Sequence, residues 1–190
     1  TGPLRILSVG RLAWKKGYEF GMEAIRAVVD RGIDCRWEIV GDGPHYEGVA
    51  FVRHQLGLTD RVTLSGPLAP AAVRQRLAES DLFLHPAVSE GFGNAVLEAQ
   101  AMRLPVVTTD ADGLRSNVVD GETGWVVPRR DAGRMAAAVI EAAADPALRE
   151  RMGRAGRQRV VERFGLEEQI SRFVEFYDEL MGRPPCASTS

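Results

Sequence analysis

Short apolar runs alternate with longer stretches of helical period over about the first 130 residues. Leu4–Val9 (LRILSV) is a β-rich run that stops at Gly10. Tyr18–Asp30 carries Phe20, Ala24, Ile25, Val28 and Val29 at helical spacing, and Gly32 ends it. Cys35–Val40 (CRWEIV) predicts a second strand, closed by the turn Gly41-Asp42-Gly43-Pro44. A helix to about Gln55 follows, and then a strand over Val62–Ser65. The pattern continues with a helix at Pro70–Glu79, a strand at Leu82–Leu84, a helix at Gly93–Met102 and a strand at Pro105–Thr108. After the Asp120-Gly121 turn, Gly124–Val127 predicts one more short strand. Asp131–Ala144, Pro146–Arg163 and Leu166–Met181 predict three helices, and the Pro- and Ser-rich tail from Arg183 to Ser190 predicts disorder.

Each predicted strand is short and nearly all apolar, as strands covered on both faces must be. Strands alternating with helices predict an α/β fold with a doubly wound parallel sheet and right-handed crossovers. No repeat or internal boundary is visible, so residues 1–182 read as one domain and 183–190 as its tail. Such sheets bind ligands beyond the carboxyl ends of their strands, so the loops that follow strands are the ones to inspect.

Composition narrows the function classes. With 190 residues, 45% hydrophobic and 26% charged, the chain can bury a full core. The net charge of −2 gives no general attraction to nucleic acid. No apolar run approaches the roughly 18 residues of a spanning helix. Two cysteines far apart, Cys35 and Cys186, make no disulfide framework and fit a reducing, cytoplasmic setting. The chain opens on Thr1-Gly2-Pro3 without a methionine, which suggests an excised piece. Of its 24 basic residues only two are Lys, and these are the neighbours Lys15 and Lys16.

That pair lies in the first post-strand loop, Gly10-Arg11-Leu12-Ala13-Trp14-Lys15-Lys16-Gly17. Arg11 offers a fork and Lys16 a movable ammonium, and the two can converge on one dianion beside a helix start. The loop has neither the P-loop nor the dinucleotide glycine pattern, and by itself it reads as a solvated basic loop. A second loop, Ser89-Glu90-Gly91-Phe92-Gly93-Asn94, opens the helix that carries Val96 and Glu98. The amides of Phe92, Gly93 and Asn94 would favour an anion. Glu90 and Glu98 would repel a phosphate, and so make more sense as acceptors for sugar hydroxyls. An acidic helix start matching the dipole is the plainer alternative. Gly41-Asp42-Gly43-Pro44 alone is a tight turn. A lone His85 reads as structural, and Asp110-Ala111-Asp112 as a turn despite its DxD spacing. The three histidines show no metal-ligand spacing.

Taken together, these motifs resemble family 4 of the retaining glycosyltransferases. The resemblance rests on Arg11 with Lys16-Gly17, Gly41-Asp42-Gly43-Pro44, Glu90-Gly91-Phe92-Gly93 through Glu98, and Gly121-Glu122-Thr123-Gly124 before Val126-Val127-Pro128. It covers residues 5 to about 180 in order. It implies a Rossmann-like sheet forming the C-terminal, donor-binding half of a two-domain GT-B enzyme, with the acceptor domain outside this chain. On that resemblance, Arg11 and Lys16 hold the donor diphosphate, Glu98 accepts from the ribose, and Glu90 with the amides of Phe92, Gly93 and Asn94 meets the transferred sugar. The base rests near Leu64 to Leu68, and Gly10, Gly41, Gly43 and Val96 complete the donor site. The implied donor is a UDP- or GDP-linked sugar, with no metal and no other cofactor. The implied reaction is hexosyl transfer with retention, in polysaccharide, glycolipid or glycoside synthesis, at the cytoplasmic side and in the longer protein at the inner face of a membrane. One departure stands out: Gly113-Leu114-Arg115 is followed by Ser116, where the family often has an acid. Two alternatives remain at this point, a GT-B nucleotide-sugar epimerase and a nucleotide-sugar-binding module without turnover. The apolar face of Ile170, Phe173, Val174, Phe176, Tyr177 and Leu180 would pack on this domain or on a missing one.

Overall fold

A computed structural model describes residues 2–164; the helix expected at Leu166–Met181, its apolar face and the tail lie outside them. Six strands and six helices follow in chain order among the described residues, alternating as far as β5: β1 (Leu4–Val9), α1 (Tyr18–Asp30), β2 (Cys35–Val40), α2 (Tyr46–Gln55), β3 (Val62–Gly66) and α3 (Pro70–Glu79). They continue with β4 (Leu82–His85), α4 (Asn94–Ala101), β5 (Val106–Thr109), β6 (Gly124–Val127), α5 (Ala132–Ala144) and α6 (Pro146–Phe164). Most boundaries match the sequence pattern to within a residue. One difference has consequences for the site: β4 runs on through His85, because its backbone pairs with Thr108 of β5.

The strands lie in the order β3-β2-β1-β4-β5-β6, and every pairing is parallel. The chain steps outward from β1 to β2 and β3, then crosses back to place β4 beside β1. Loops leaving β1 and β4 therefore diverge to opposite faces and open a crevice between them.

The two faces have separate cores. One buries Met22, Ile25 and Val28 of α1, Val49 of α2 and Met135 and Val139 of α5 against Ile6, Trp37, Ile39 and Leu84. The other buries Leu77 of α3 and Val96 and Ala99 of α4 against Leu7, Val40, Phe83 and Val106. Burial of apolar area on both faces is what makes the strands read as continuous hydrophobic runs. Ser8 is an exception at the middle of β1, and it is fully satisfied: its hydroxyl donates to the Leu84 carbonyl and accepts from the Trp37 indole at 2.9 Å.

The turn after β2 is fitted against the loop after β1. Gly41 has φ of 140°, and a Cβ there would stand 2.0 Å from the Gly10 carbonyl oxygen. A Cβ on Gly43 would stand 2.2 Å from the Leu12 carbonyl oxygen. The Leu12 amide bonds to the Asp42 carbonyl, and the His45 amide to that of Leu12, at 2.9 and 3.0 Å. We expect Gly41→Ala to cost about 2 kcal/mol or more through this backbone collision. Thermal unfolding followed by circular dichroism should show a midpoint about 4 °C lower or worse. An unchanged midpoint would mean that the glycine is not required for packing.

Candidate functional site

The loop after β1 and the loop after β4 are joined through backbone. Trp14–Lys16 forms one 3-10 turn, which Gly17 closes in the left-handed region at φ 62°. A Cβ on Gly17 would lie 2.3 Å from the Pro86 carbonyl oxygen, so only glycine allows this approach. Two residues back, the Lys15 carbonyl accepts from the amides of Val88 and Ser89 at 2.8 and 3.1 Å. These contacts aim the Lys16 side chain across the crevice.

There it meets Glu90. The Lys16 ammonium pairs with Glu90 Oε2, and both side chains are largely buried. The same oxygen lies 2.9 Å from His85 Nε2, while Glu90 Oε1 accepts from the Gly91 amide at 3.2 Å. Burial pushes the His85 pKa down, against the hydrogen bond to Glu90 that pulls it up; nearby Lys16 pushes it further down. A neutral ring beside a carboxylate must carry its proton on Nε2, so His85 is the donor. The bond from His85, aided by Lys16, draws the Glu90 carboxyl down to about 2 against its own desolvation. Beneath the pair, the buried Tyr18 hydroxyl faces the Gly10 carbonyl at 3.4 Å. Burial and the Glu90 charge raise its pKa and keep it a neutral phenol.

Gly10, Lys16, His85, Glu90, Phe92, Gly93 and Asn94 line a cavity of about 270 Å³, which Val9 and Ala95 complete. Gly93 caps α4 at φ 80°, and the amides of Phe92, Gly93 and Asn94 meet no acceptor among the described residues. They form an unsatisfied donor group at a helix start, which favours an anion or an array of hydroxyls. The loop after β5 supports this arrangement. The Gly113 amide donates to the Glu90 carbonyl at 3.0 Å, and the Asn117 side-chain amide donates to the Phe92 carbonyl. Ser116, at the position of the family's acid, donates to the Gly113 carbonyl at 3.2 Å.

A second cavity of about 460 Å³ adjoins along the same wall, because Val9 and α4 line both. Its lining is mostly apolar, with Val9, Leu68, Val73, Leu77 and Met102, and it includes the charged side chains of Arg74 and Glu98. The Glu98 carboxylate is exposed and has no partner among the described residues.

The structure thus brings Gly10, Lys16, Glu90, Phe92, Gly93 and Asn94 to one cavity, and Leu68 and Glu98 to the next. Other sequence candidates lie elsewhere. Arg11 is exposed and lines neither cavity. Leu64 packs toward the core beneath α1 and α2, so Leu68 alone represents that stretch in the apolar cavity. Val96 is fully buried and supports α4 from below, with its amide bound to the Gly93 carbonyl at 2.9 Å. Gly41 and Gly43 serve the loop packing described above. Asp110 is held by the Arg129 amide at 2.9 Å and by its side chain, which also nears Asp112 at 3.6 Å, as a structural turn requires. His85 was not legible as a site residue. Its place at the carboxyl end of a strand was the available signal.

Residues 1–159 match the family model described as glycosyl transferases group 1. The α-D-kanosaminyltransferase of Streptomyces kanamyceticus is 34% identical over 175 residues, covering 92% of this chain and 45% of that protein. The capsular polysaccharide biosynthesis glycosyltransferase CapM of Staphylococcus aureus is 30% identical over 182 residues, covering 92% and 47% respectively. The crystal structure of HepE from Anabaena in complex with UDP superposes with a TM-score of 0.85 at 21% identity, over 94% of this chain and 49% of that one. The chain therefore spans less than half the length of these relatives.

The depressed Glu90 carboxyl sets a pH dependence. A carboxylate favoured in the folded state stabilises it fully above the unfolded pKa, near 4.5, and loses that effect as pH falls toward 2. We expect Glu90→Gln to lower stability at pH 7 by about 1–3 kcal/mol, since it leaves Lys16 without its charge partner. Urea unfolding at pH 7 and at pH 3 should show this deficit shrinking in acid. A deficit that stays constant would mean the carboxylate is not held as the geometry indicates.

Proposed function

We propose, on the premise that this chain belongs to the glycosyl transferases group 1 family, that it is the donor-binding half of a retaining hexosyltransferase that uses a nucleotide-diphosphate sugar. The observation that carries this reading is the pair of adjoining cavities. One offers a cation, free amides and a carboxylate, and the other a mostly apolar wall that includes an acceptor. The apolar cavity suits a nucleobase, and the unpartnered Glu98 suits the two hydroxyls of a ribose. The cationic cavity suits the diphosphate and the sugar beyond it.

In this reading Lys16, with the start of α4, neutralises charge that grows on the diphosphate as the glycosidic bond breaks. Such preorganised donors are the largest common source of transition-state stabilisation, and they supply it without a metal. Arg11, exposed on the same loop as Lys16, closes on the outer phosphate when the donor arrives. Glu90 accepts from a hydroxyl of the transferred sugar. UDP bound to HepE supports a uridine donor and leaves a guanosine donor as the alternative. The acceptor and its binding residues belong to a second, N-terminal domain. The longer protein would work in polysaccharide, glycolipid or glycoside synthesis on the cytoplasmic side, at the inner face of a membrane. No helix among the described residues is long and apolar enough to cross one.

Calorimetric titration with UDP, GDP and ADP tests the reading. Lys16→Ala should weaken the preferred diphosphate at least about tenfold, the loss expected for a charged hydrogen bond. Glu90→Gln should instead tighten it, because Lys16 no longer has a carboxylate to leave. If none of the three nucleotides binds, or if Lys16→Ala binds as well as the parent chain, the assignment fails. Sugar transfer should require the longer protein, and robust turnover by these 190 residues alone would overturn the two-domain account.

A further inference from the structure

We infer that His85 is a positioning residue that holds the Glu90 carboxylate in place while Lys16 moves onto the donor. The inference rests on the proposed function, since it concerns the same cavity. Its basis is a shared acceptor. Lys16 and His85 converge on one oxygen, Glu90 Oε2. A dianionic diphosphate competes for the Lys16 ammonium more strongly than a single carboxylate does. Once Lys16 turns to the phosphates, Glu90 loses its cation. It would then be free to follow Lys16 toward the diphosphate, where two negative charges would meet, or to swing into solvent.

His85 is built to prevent that. It ends β4 and is 2% exposed. Its ring stacks on Phe83 with centroids 6.2 Å apart, and its carbonyl accepts from the Thr108 hydroxyl at 3.1 Å. Strand pairing fixes the backbone at Thr108, and the stack fixes the ring. A buried donor on a rigid strand costs little ordering entropy when it binds, unlike a long flexible lysine. The His85 Nε2–H keeps Oε2, and the Gly91 amide keeps Oε1. Each oxygen retains lone pairs to accept from a sugar hydroxyl. The groups facing the imidazole are Glu90 and Lys16. A neutral ring adds no charge that would compete with Lys16 for the diphosphate.

The division of labour predicts a separation between diphosphate and sugar. Each of UDP-glucose, UDP-N-acetylglucosamine and GDP-mannose is titrated against its own free diphosphate, with the parent chain, His85→Leu and His85→Gln. For a donor that the parent chain binds, the ratio of sugar-nucleotide to diphosphate affinity should fall about tenfold in His85→Leu. It should return to within about threefold of the parent in His85→Gln, whose side-chain amide can still donate. An unchanged ratio in a folded His85→Leu, or an equal loss for diphosphate and donor, overturns the inference, because a purely structural histidine would act on both alike. Independently of any ligand, ¹⁵N NMR of the histidine ring at pH 7 should show neutral His85 protonated at Nε2. A ring bare at Nε2, or an imidazolium, also overturns the inference. Failure of the parent chain to bind any of the nucleotides would overturn the proposed function instead, and the NMR result would still decide whether His85 holds Glu90.

Discussion

The site depends on how closely two loops approach each other across the sheet's point of divergence. After β1 and β4 the chain turns to opposite faces, and the ladder that pairs the two strands ends at Leu7 and Phe83, short of both exits. The missing side chain of Gly17 lets the first loop lie against the Pro86 carbonyl, and the Lys15 carbonyl then takes two amides from the second loop. With the backbones joined, Lys16 has little choice but to face Glu90. The same closeness buries the pair enough for their attraction to be weakly screened, and it leaves the amides at the start of α4 on the cavity wall.

Glycines that belong to one family motif prove to have different physical duties. Gly17, Gly41 and Gly43 make room for neighbouring backbone, and so do Gly113 against Gly91 and Gly124 against Val106. Gly91 is different, since a Cβ there would meet open space. The motifs around residues 41–44 and 121–124 are therefore largely instructions for stacking loops. Only indirectly do they shape the proposed donor site, by fixing the sides of the crevice. A motif can mark a binding site without each of its residues touching a ligand.

The electrostatic arrangement is one of shared partners. A lone cation or a lone carboxylate buried here would carry a desolvation cost. Lys16, Glu90 and His85 offset it by satisfying one another. Lys16 reaches Glu90 on a long side chain, whereas His85 is held at the end of a strand. Glu98 is exposed and has no such partner among the described residues, which suits the role of ribose acceptor proposed for it.

The sequence by itself determined the order of strands and helices, the parallel class and the loops worth inspecting. Those depend on local period, and on apolar runs such as Leu4–Val9 and Cys35–Val40 that can be buried only in a sheet covered on both faces. It also singled out Lys16, from the scarcity of lysine elsewhere, and Glu90 and Glu98, from their places at the opening of a post-strand loop and about one turn into the helix that follows. Only the tertiary structure decided which candidates share a cavity. Val96 and Leu64 could not be told from lining residues in the sequence, since facing a ligand and facing the core both call for an apolar side chain. His85 was illegible for a related reason. Its partner is five residues away around a turn, a separation with no fixed geometry, and its role arises from burial at the end of β4 and from the approach of a loop almost seventy residues earlier in the chain.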